Sequence, residues 1–145
     1  MRLGRRSGIL STSPTWATVR QEGVLVPKLH HVNLGVPPEL EADEMTFLVD
    51  LLGYRRLTPE VTADERVRVG ARWFEGDDGV QIHLSLDEEH QAAAKAHTAV
   101  TVFDEVDGIR TRLEAASYPF DEAEFDGTTF LIVRDPAGNR WELRS

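Results

Sequence analysis

Four side chains in this sequence recur at a spacing that suits metal chemistry. His31 and His97 each open a run in which apolar and polar residues alternate, and His83 and Glu142 lie in two later runs of the same kind. Three neutral imidazoles and one carboxylate are donors that bind Fe, Mn, Co, Ni or Zn as divalent ions. We therefore predict a divalent transition-metal site formed by His31, His83, His97 and Glu142.

The segments around these residues predict a duplicated unit. Alternation with period two predicts a strand at the start of each half, from residue 31 and again from residue 97. An amphipathic helix follows each strand, and Gly53 suits the C-terminal cap of the first helix. Three strand-like runs then follow each helix, at 55–61, 66–75 and 80–86 and at 120–125, 128–134 and 140–144. The order β-α-β-β-β thus appears twice.

The phase of the alternation puts the four candidate ligands on the face of the strands that the helices leave uncovered. When the two closing strands are aligned by the glycines before them, His83 falls opposite Glu142. If the two units pack about a pseudo-twofold axis, the four groups converge in one cleft. Period alone does not decide whether three aromatic residues line this cleft or fill the core: Trp73, Phe74 and Phe130.

The whole pattern predicts an α+β fold in which two paired modules, at about 27–88 and about 95–145, form one domain with a cupped eight-stranded sheet. Residues 1–26 contain four arginines and one acidic residue, and we expect them to be a flexible extension. The acidic residues of the first predicted helix are expected on a solvated surface: Glu39, Glu41, Asp43 and Glu44.

Composition excludes several classes of function. The chain has 145 residues, a formal charge of −9 and no cysteine, which excludes disulfides, thiolate metal sites and a cysteine nucleophile. The acidic balance disfavours nucleic acid and anionic membranes, and no apolar run is long enough to span a bilayer. We expect a cytoplasmic protein whose partner is a small molecule.

These motifs together resemble the vicinal oxygen chelate superfamily, which includes glyoxalase I, methylmalonyl-CoA epimerase, extradiol dioxygenases, fosfomycin-resistance thiol transferases and bleomycin-resistance proteins. The resemblance covers about residues 29–145 and rests on Leu29-His30-His31-Val32-Asn33-Leu34, Leu51-Leu52-Gly53-Tyr54, His97 and Asp135-Pro136-Ala137-Gly138-Asn139-Arg140-Trp141-Glu142-Leu143. It implies that a divalent metal is held at the positions of His31, His97 and Glu142, with His83 matching a fourth ligand of some members. It also implies a homodimer whose modules pair within one chain or between chains.

The resemblance leaves the reaction open. In glyoxalase- or epimerase-like proton transfer, four protein ligands leave two positions for adjacent substrate oxygens, and the base is Glu142 if it leaves the metal, or a bound hydroxide. In an extradiol dioxygenase, two histidines and Glu142 form a facial triad, and His83 acts beside it as an acid–base group. Asn33 and Arg140 are the expected substrate contacts. The alternative is a binding protein rather than an enzyme: a metal-free protein that sequesters a cationic drug, as bleomycin-resistance proteins do.

Overall fold

The computed structural model describes residues 27–58 and 72–145, and the β-α-β-β-β order occurs twice in them. Module 1 contains β1 (His31–Val36), α1 (Glu41–Thr46), β2 (Arg55–Leu57), β3 (Trp73–Glu75) and β4 (Gln81–Leu86). Module 2 contains β5 (His97–Thr101), α2 (Val106–Ala115), β6 (Phe120–Phe125), β7 (Thr128–Arg134) and β8 (Arg140–Arg144). The predicted N-terminal extension, and the parts of two predicted strands within 59–71, lie outside the described residues.

The strands form two four-stranded sheets of the same topology. Their order is β1-β4-β3-β2 in module 1 and β5-β8-β7-β6 in module 2, and the first and last strands of each module are parallel. A parallel neighbour requires a crossover connection, which the helix of each module provides. The predicted α+β class and the two paired βαβββ modules are therefore confirmed, with the eight strands divided between two hydrogen-bonded sheets.

The first helical segment has three parts with different helical geometry. It begins as a 3-10 turn at Pro38–Leu40, continues as α1, and ends in a wider π-helical turn at Phe47–Leu51. Both Phe47 and Leu48 of this last turn are fully buried. Gly53 follows with a φ of +85° and caps the helix as predicted, because glycine adopts this conformation without strain.

One apolar core lies beneath the helices and is shared by both modules. Phe47 of module 1 packs against Tyr118 and Trp141 of module 2, with ring centroids 5.5 and 5.9 Å apart. The two helical segments are also linked directly, since Arg112 Nε donates a hydrogen bond to the carbonyl of Leu51 at 2.9 Å. The modules therefore pair through their apolar faces within one chain. No helix in the described ranges is long and apolar enough to cross a membrane.

Glu44 corrects the expectation of a solvated acidic side chain. It is fully buried, and its Oε2 accepts a hydrogen bond from the backbone N–H of Ala137 at 3.3 Å. Beside it lies the buried carboxylate of Asp135, which accepts from the N–H of Asn139 and the indole N–H of Trp141. The expectation was wrong because residue 44 has the helical phase of the apolar positions 48 and 51. Burial, and then repulsion by Asp135, raises the pKa of Glu44 to about 9.

The strand β6 forms one edge of the module 2 sheet in the part of the chain that the structure describes. Three of its six residues are acidic: Asp121, Glu122 and Glu124. Glu122 accepts a hydrogen bond from Arg110 of α2 at 3.0 Å, so it lies on the helix face of the sheet. Asp121 lies on the opposite face, because successive residues of a strand alternate between the faces.

Candidate functional site

Module 2 brings two of the predicted ligands into contact. His97 Nε2 is 3.5 Å from Glu142 Oε2 on the neighbouring parallel strand. His97 Nδ1 lies 3.1 Å from the carbonyl oxygen of Lys95; because a carbonyl only accepts, the neutral ring carries its proton on Nδ1 and a lone pair on Nε2. Arg144 forms an ion pair with Glu142 Oε1 at 3.1 Å, so Oε2 faces the imidazole. His97 and Glu142 therefore form a two-donor cluster, the module 2 half-site.

Module 1 places the other two predicted ligands, His31 and His83, in a second cluster, the module 1 half-site. Their ring centroids are 6.4 Å apart, and the indole of Trp73 contacts both rings, stacked on His83 at 4.3 Å and edge-on to His31 at 4.9 Å. His31 Nδ1 also lies 2.8 Å from His30 Nδ1. Burial lowers the pKa of His83, and the charges of His31 and Arg72 lower it further. His83 is therefore neutral at pH 7, the form that binds a metal or accepts a proton.

The two half-sites occupy equivalent positions in their sheets. Asn33 pairs with His83 across β1 and β4, and Ala99 pairs with Glu142 across β5 and β8. In each module the opening histidine lies two residues before that pair, on the same face of the sheet. The first-strand histidine is thus the diagonal neighbour of the last-strand ligand in both modules. This is the correspondence of His83 with Glu142 that the alignment of the closing strands predicts.

The two half-sites do not meet within one chain. Among the described residues, no three His, Asp or Glu side chains lie close enough to hold one metal ion. The expected convergence of all four ligands in one cleft is therefore not found in this part of a single chain. The apolar faces of both sheets share the core, and each half-site lies on the opposite face of its own sheet. The donor types suit a divalent metal, but each half-site supplies only two, so the residues fit a metal when two half-sites come together.

The two predicted substrate contacts lie beside the half-sites. Asn33 is the register partner of His83, and its Oδ1 accepts a hydrogen bond from the hydroxyl of Ser85 at 2.8 Å. Arg140 is the register partner of His97. Its Nε is buried and has no hydrogen-bond partner in the described part of the chain. Arg140 therefore has donor capacity left for a ligand, whereas the Asn33 oxygen is already engaged.

Three aromatic residues that periodicity alone leaves unplaced have distinct positions. Trp73 lies on the half-site face as the register partner of His83, Phe74 is fully buried in the core, and Phe130 lies beneath the guanidinium of Arg144, 5.5 Å from its ring centroid. Trp73 is thus a site residue that sequence reasoning did not assign. The hairpin turn after β3 was a sufficient signal, because pairing outward from that turn sets Trp73 opposite His83.

The fold and the motifs agree with a known family. The family model of the Glyoxalase/Bleomycin resistance protein/Dioxygenase superfamily matches residues 28–143. The chain belongs to this superfamily. The resemblance inferred from the sequence motifs is therefore confirmed, and the matched range extends across both modules to residue 143 and includes both half-sites.

Solved structures of the superfamily share the fold at low identity. A glyoxalase family protein from Bacillus anthracis is 21% identical, with a TM-score of 0.69 over 83% of this chain and 96% of its own. A glyoxalase/dioxygenase from Nostoc punctiforme is 18% identical, with a TM-score of 0.66 over 86% and 97%. A mutant fosfomycin resistance protein from Listeria monocytogenes, complexed with Mn(II) and 1S,2S-dihydroxypropylphosphonic acid, is 17% identical, with a TM-score of 0.65 over 83% and 93%. No curated protein matches the chain.

Proposed function

We propose that this protein is a divalent-metal-dependent enzyme that acts on a small molecule with two adjacent oxygen atoms. The observation that carries the proposal is the pair of equivalent half-sites, each with two side chains of the types that bind metals, on the face of the sheet that the core does not use. The superfamily supports it, because its members include dioxygenases and lyases. One structural relative was solved with Mn(II) and a dihydroxypropylphosphonic acid, which carries adjacent oxygens.

A complete site takes one half-site from each of two copies of the chain. His31 and His83 of one copy then meet His97 and Glu142 of the second, which gives four protein donors. A twofold dimer contains two such sites, because the symmetry makes the two contacts identical. The two-donor clusters of the described residues support this arrangement, since two donors alone are fewer than protein sites for divalent transition metals use.

The bound metal would supply a Lewis acid that favours negative charge on the substrate oxygens. The remaining roles belong to the side chains. Arg144 holds Glu142 Oε1, which leaves Oε2 facing His97 Nε2. With His83 as a ligand, Glu142 would be the proton acceptor of a lyase or isomerase if it leaves the metal. With His83 beside a triad of two histidines and Glu142, the neutral His83 ring moves the proton in a dioxygenase.

The arrangement is tested by complementation between two inactive variants. One chain carries His31→Ala and His83→Ala, the other carries His97→Ala and Glu142→Ala, and each has a different affinity tag. The tandem-purified heterodimer has one intact site of two, so we expect about half the wild-type metal content per chain. Each variant alone should be metal-free. Metal is measured by plasma mass spectrometry on protein purified without chelator and dialysed against Mn(II).

The control heterodimer pairs the wild-type chain with a chain that carries all four substitutions. If sites form between chains, this heterodimer has no complete site; if they form within one chain, it has one and the first heterodimer has none. The reversed result overturns the shared site. A wild-type protein that holds no metal but binds a cationic drug overturns the enzyme proposal and supports sequestration. For a metal-loaded protein, two assays decide between the reactions. Oxygen uptake with catechols supports a dioxygenase, and turnover of a glutathione hemithioacetal supports a lyase.

A further inference from the structure

A cavity opens beside the module 2 half-site. Its volume is about 430 Å³, and its lining includes Asp121, Ile132, Arg134 and Arg140. These four side chains share the half-site face of the sheet, and Ile132 is the register partner of Glu142. The cavity therefore adjoins the candidate ligands. Its volume lies in the range of pockets that bind small molecules.

Arg140 is the donor in this cavity that the protein leaves unused. Arg134 donates to the carbonyls of Gly138 and Ala94 at 2.7 and 3.4 Å, which fixes its position in the wall. The side chain of Arg140 makes no hydrogen bond or ion pair within the described residues, and its Nε is buried. A guanidinium has five N–H donors and no acceptor, so burying one without a partner is unfavourable until a ligand supplies the acceptors.

The charge of the lining favours an anion. Two guanidinium groups and one carboxylate, that of Asp121, face the cavity, so its wall is net positive although the chain as a whole carries −9. A cationic ligand would meet Arg134 and Arg140 directly. An oxyanion accepts two parallel hydrogen bonds from a guanidinium, and such charge-assisted pairs are among the strongest in proteins.

We propose that this cavity binds an oxyanion group of the substrate, anchored by Arg140, while the adjacent oxygens of the same molecule lie at the candidate metal centre. The substrate class is thus a small anionic molecule, such as a carboxylate that also carries vicinal oxygens. The position of the adjacent oxygens rests on the proposed function. The anion contact itself depends only on side chains of module 2 and requires no metal.

The anion contact is tested first without metal, on chelator-treated wild-type protein. Benzoate and benzyl alcohol are similar in size and differ in charge, and their binding is followed by NMR titration of the amides of β7 and β8. We expect benzoate to bind at least about tenfold more tightly, and Arg140→Gln to remove this preference. Arg140→Lys should retain part of it, because the charge remains while the planar fork is lost. Arg56→Gln, an exposed arginine of module 1, is the control for the change in net charge.

A second comparison uses the metal-loaded protein with catechol and 3,4-dihydroxybenzoate, which differ only in the carboxylate. Tighter binding of the carboxylated compound, lost in Arg140→Gln, supports the placement of both groups on one substrate. Equal binding of benzoate and benzyl alcohol, or a benzoate preference that survives in Arg140→Gln, overturns the anion site. If the benzoate preference depends on Arg140 in a protein that never takes up metal, the anion site stands and the metal-dependent function falls.

Discussion

The buried carboxyl group of Glu44 shows how one residue ties the two modules together. The helix of module 1 carries it into a pocket formed by the turn between β7 and β8, where the backbone N–H of Ala137 is a donor. Its Oε1 has no partner among the described residues. The neighbouring Asp135 already accepts two hydrogen bonds, from Asn139 and Trp141. Protonation of Glu44 therefore stabilises the two neighbouring carboxyl groups, because it adds a hydrogen-bond donor and removes one of two like charges.

The raised pKa makes the stability of the protein depend on pH. Glu44 titrates at about 9 in the folded protein and at about 4.5 when exposed, so between these values the folded state binds the extra proton. The free energy of unfolding therefore falls as pH rises from about 4.5 to about 9. Glu44→Gln removes this dependence, since the amide is neutral at every pH and donates toward Asp135. We expect Glu44→Gln to stabilise the protein at pH 8 by about 1–3 kcal/mol, measured by urea unfolding.

The matched control is Asp43→Asn, which removes one negative charge from an exposed position of the same helix. Its unfolding midpoint should keep the pH dependence of the wild type. A Glu44→Gln variant whose stability still declines with pH as steeply as the wild type would show that this carboxyl group titrates normally.

At the scale of elements, Gly53 ends the first helical segment at a conformation that only glycine adopts freely. Its φ is +85°, and an added Cβ would meet no atom within 4 Å. Gly53→Ala therefore creates no clash and tests backbone conformation alone. We expect a loss of about 1 kcal/mol in the free energy of unfolding, measured by thermal and urea denaturation.

Gly108 provides the comparison within α2. Its backbone is helical, and a Cβ there would meet only the flexible ends of two side chains, Glu105 Oε2 at 3.0 Å and Arg112 Nη1 at 3.6 Å. Gly108→Ala should raise stability by about 0.5–1 kcal/mol, because glycine is a poor helix former. Equal effects of the two substitutions would contradict the assignment of Gly53 as a helix cap whose positive φ requires glycine.

A comparison of the predicted and observed elements shows which features of the fold the sequence determines and which it does not. The three closing strands of module 2 occur at the predicted residues 120–125, 128–134 and 140–144, because strict alternation lies between strong turn signals. The same period fixes the diagonal placement of His97 and Glu142 within their sheet. The burial of Glu44, and whether the two half-sites come together within one chain or between two, could not be predicted, since both depend on which surfaces the modules bury against each other or against a second chain.

For the whole molecule, the shared core predicts that both modules unfold together. Phe47 is fully buried and contacts rings from module 2. We expect Phe47→Leu to lower the free energy of unfolding by about 1–2 kcal/mol, because the smaller side chain leaves part of the inter-module contact empty. Tryptophan fluorescence and far-ultraviolet circular dichroism should shift to the same lower urea midpoint in one transition.

Val49→Ala tests whether this effect belongs to the contact between modules. Val49 lies on the same helical turn but is 37% exposed, so its truncation should change the midpoint much less. Two separated transitions in Phe47→Leu, with fluorescence and dichroism no longer coincident, would show that the modules fold independently.

The acidic edge strand β6 of module 2 also affects whether the protein aggregates at high concentration. A sheet edge presents unpaired backbone groups that invite another chain to add a strand, which is the first step of amyloid growth. Three of the six residues of β6 carry carboxylates, and these repel a second copy of the same strand. Acid that neutralises them leaves two phenylalanines and a bare backbone at that edge, so the chain should resist fibril formation in neutral solution and lose that resistance in acid.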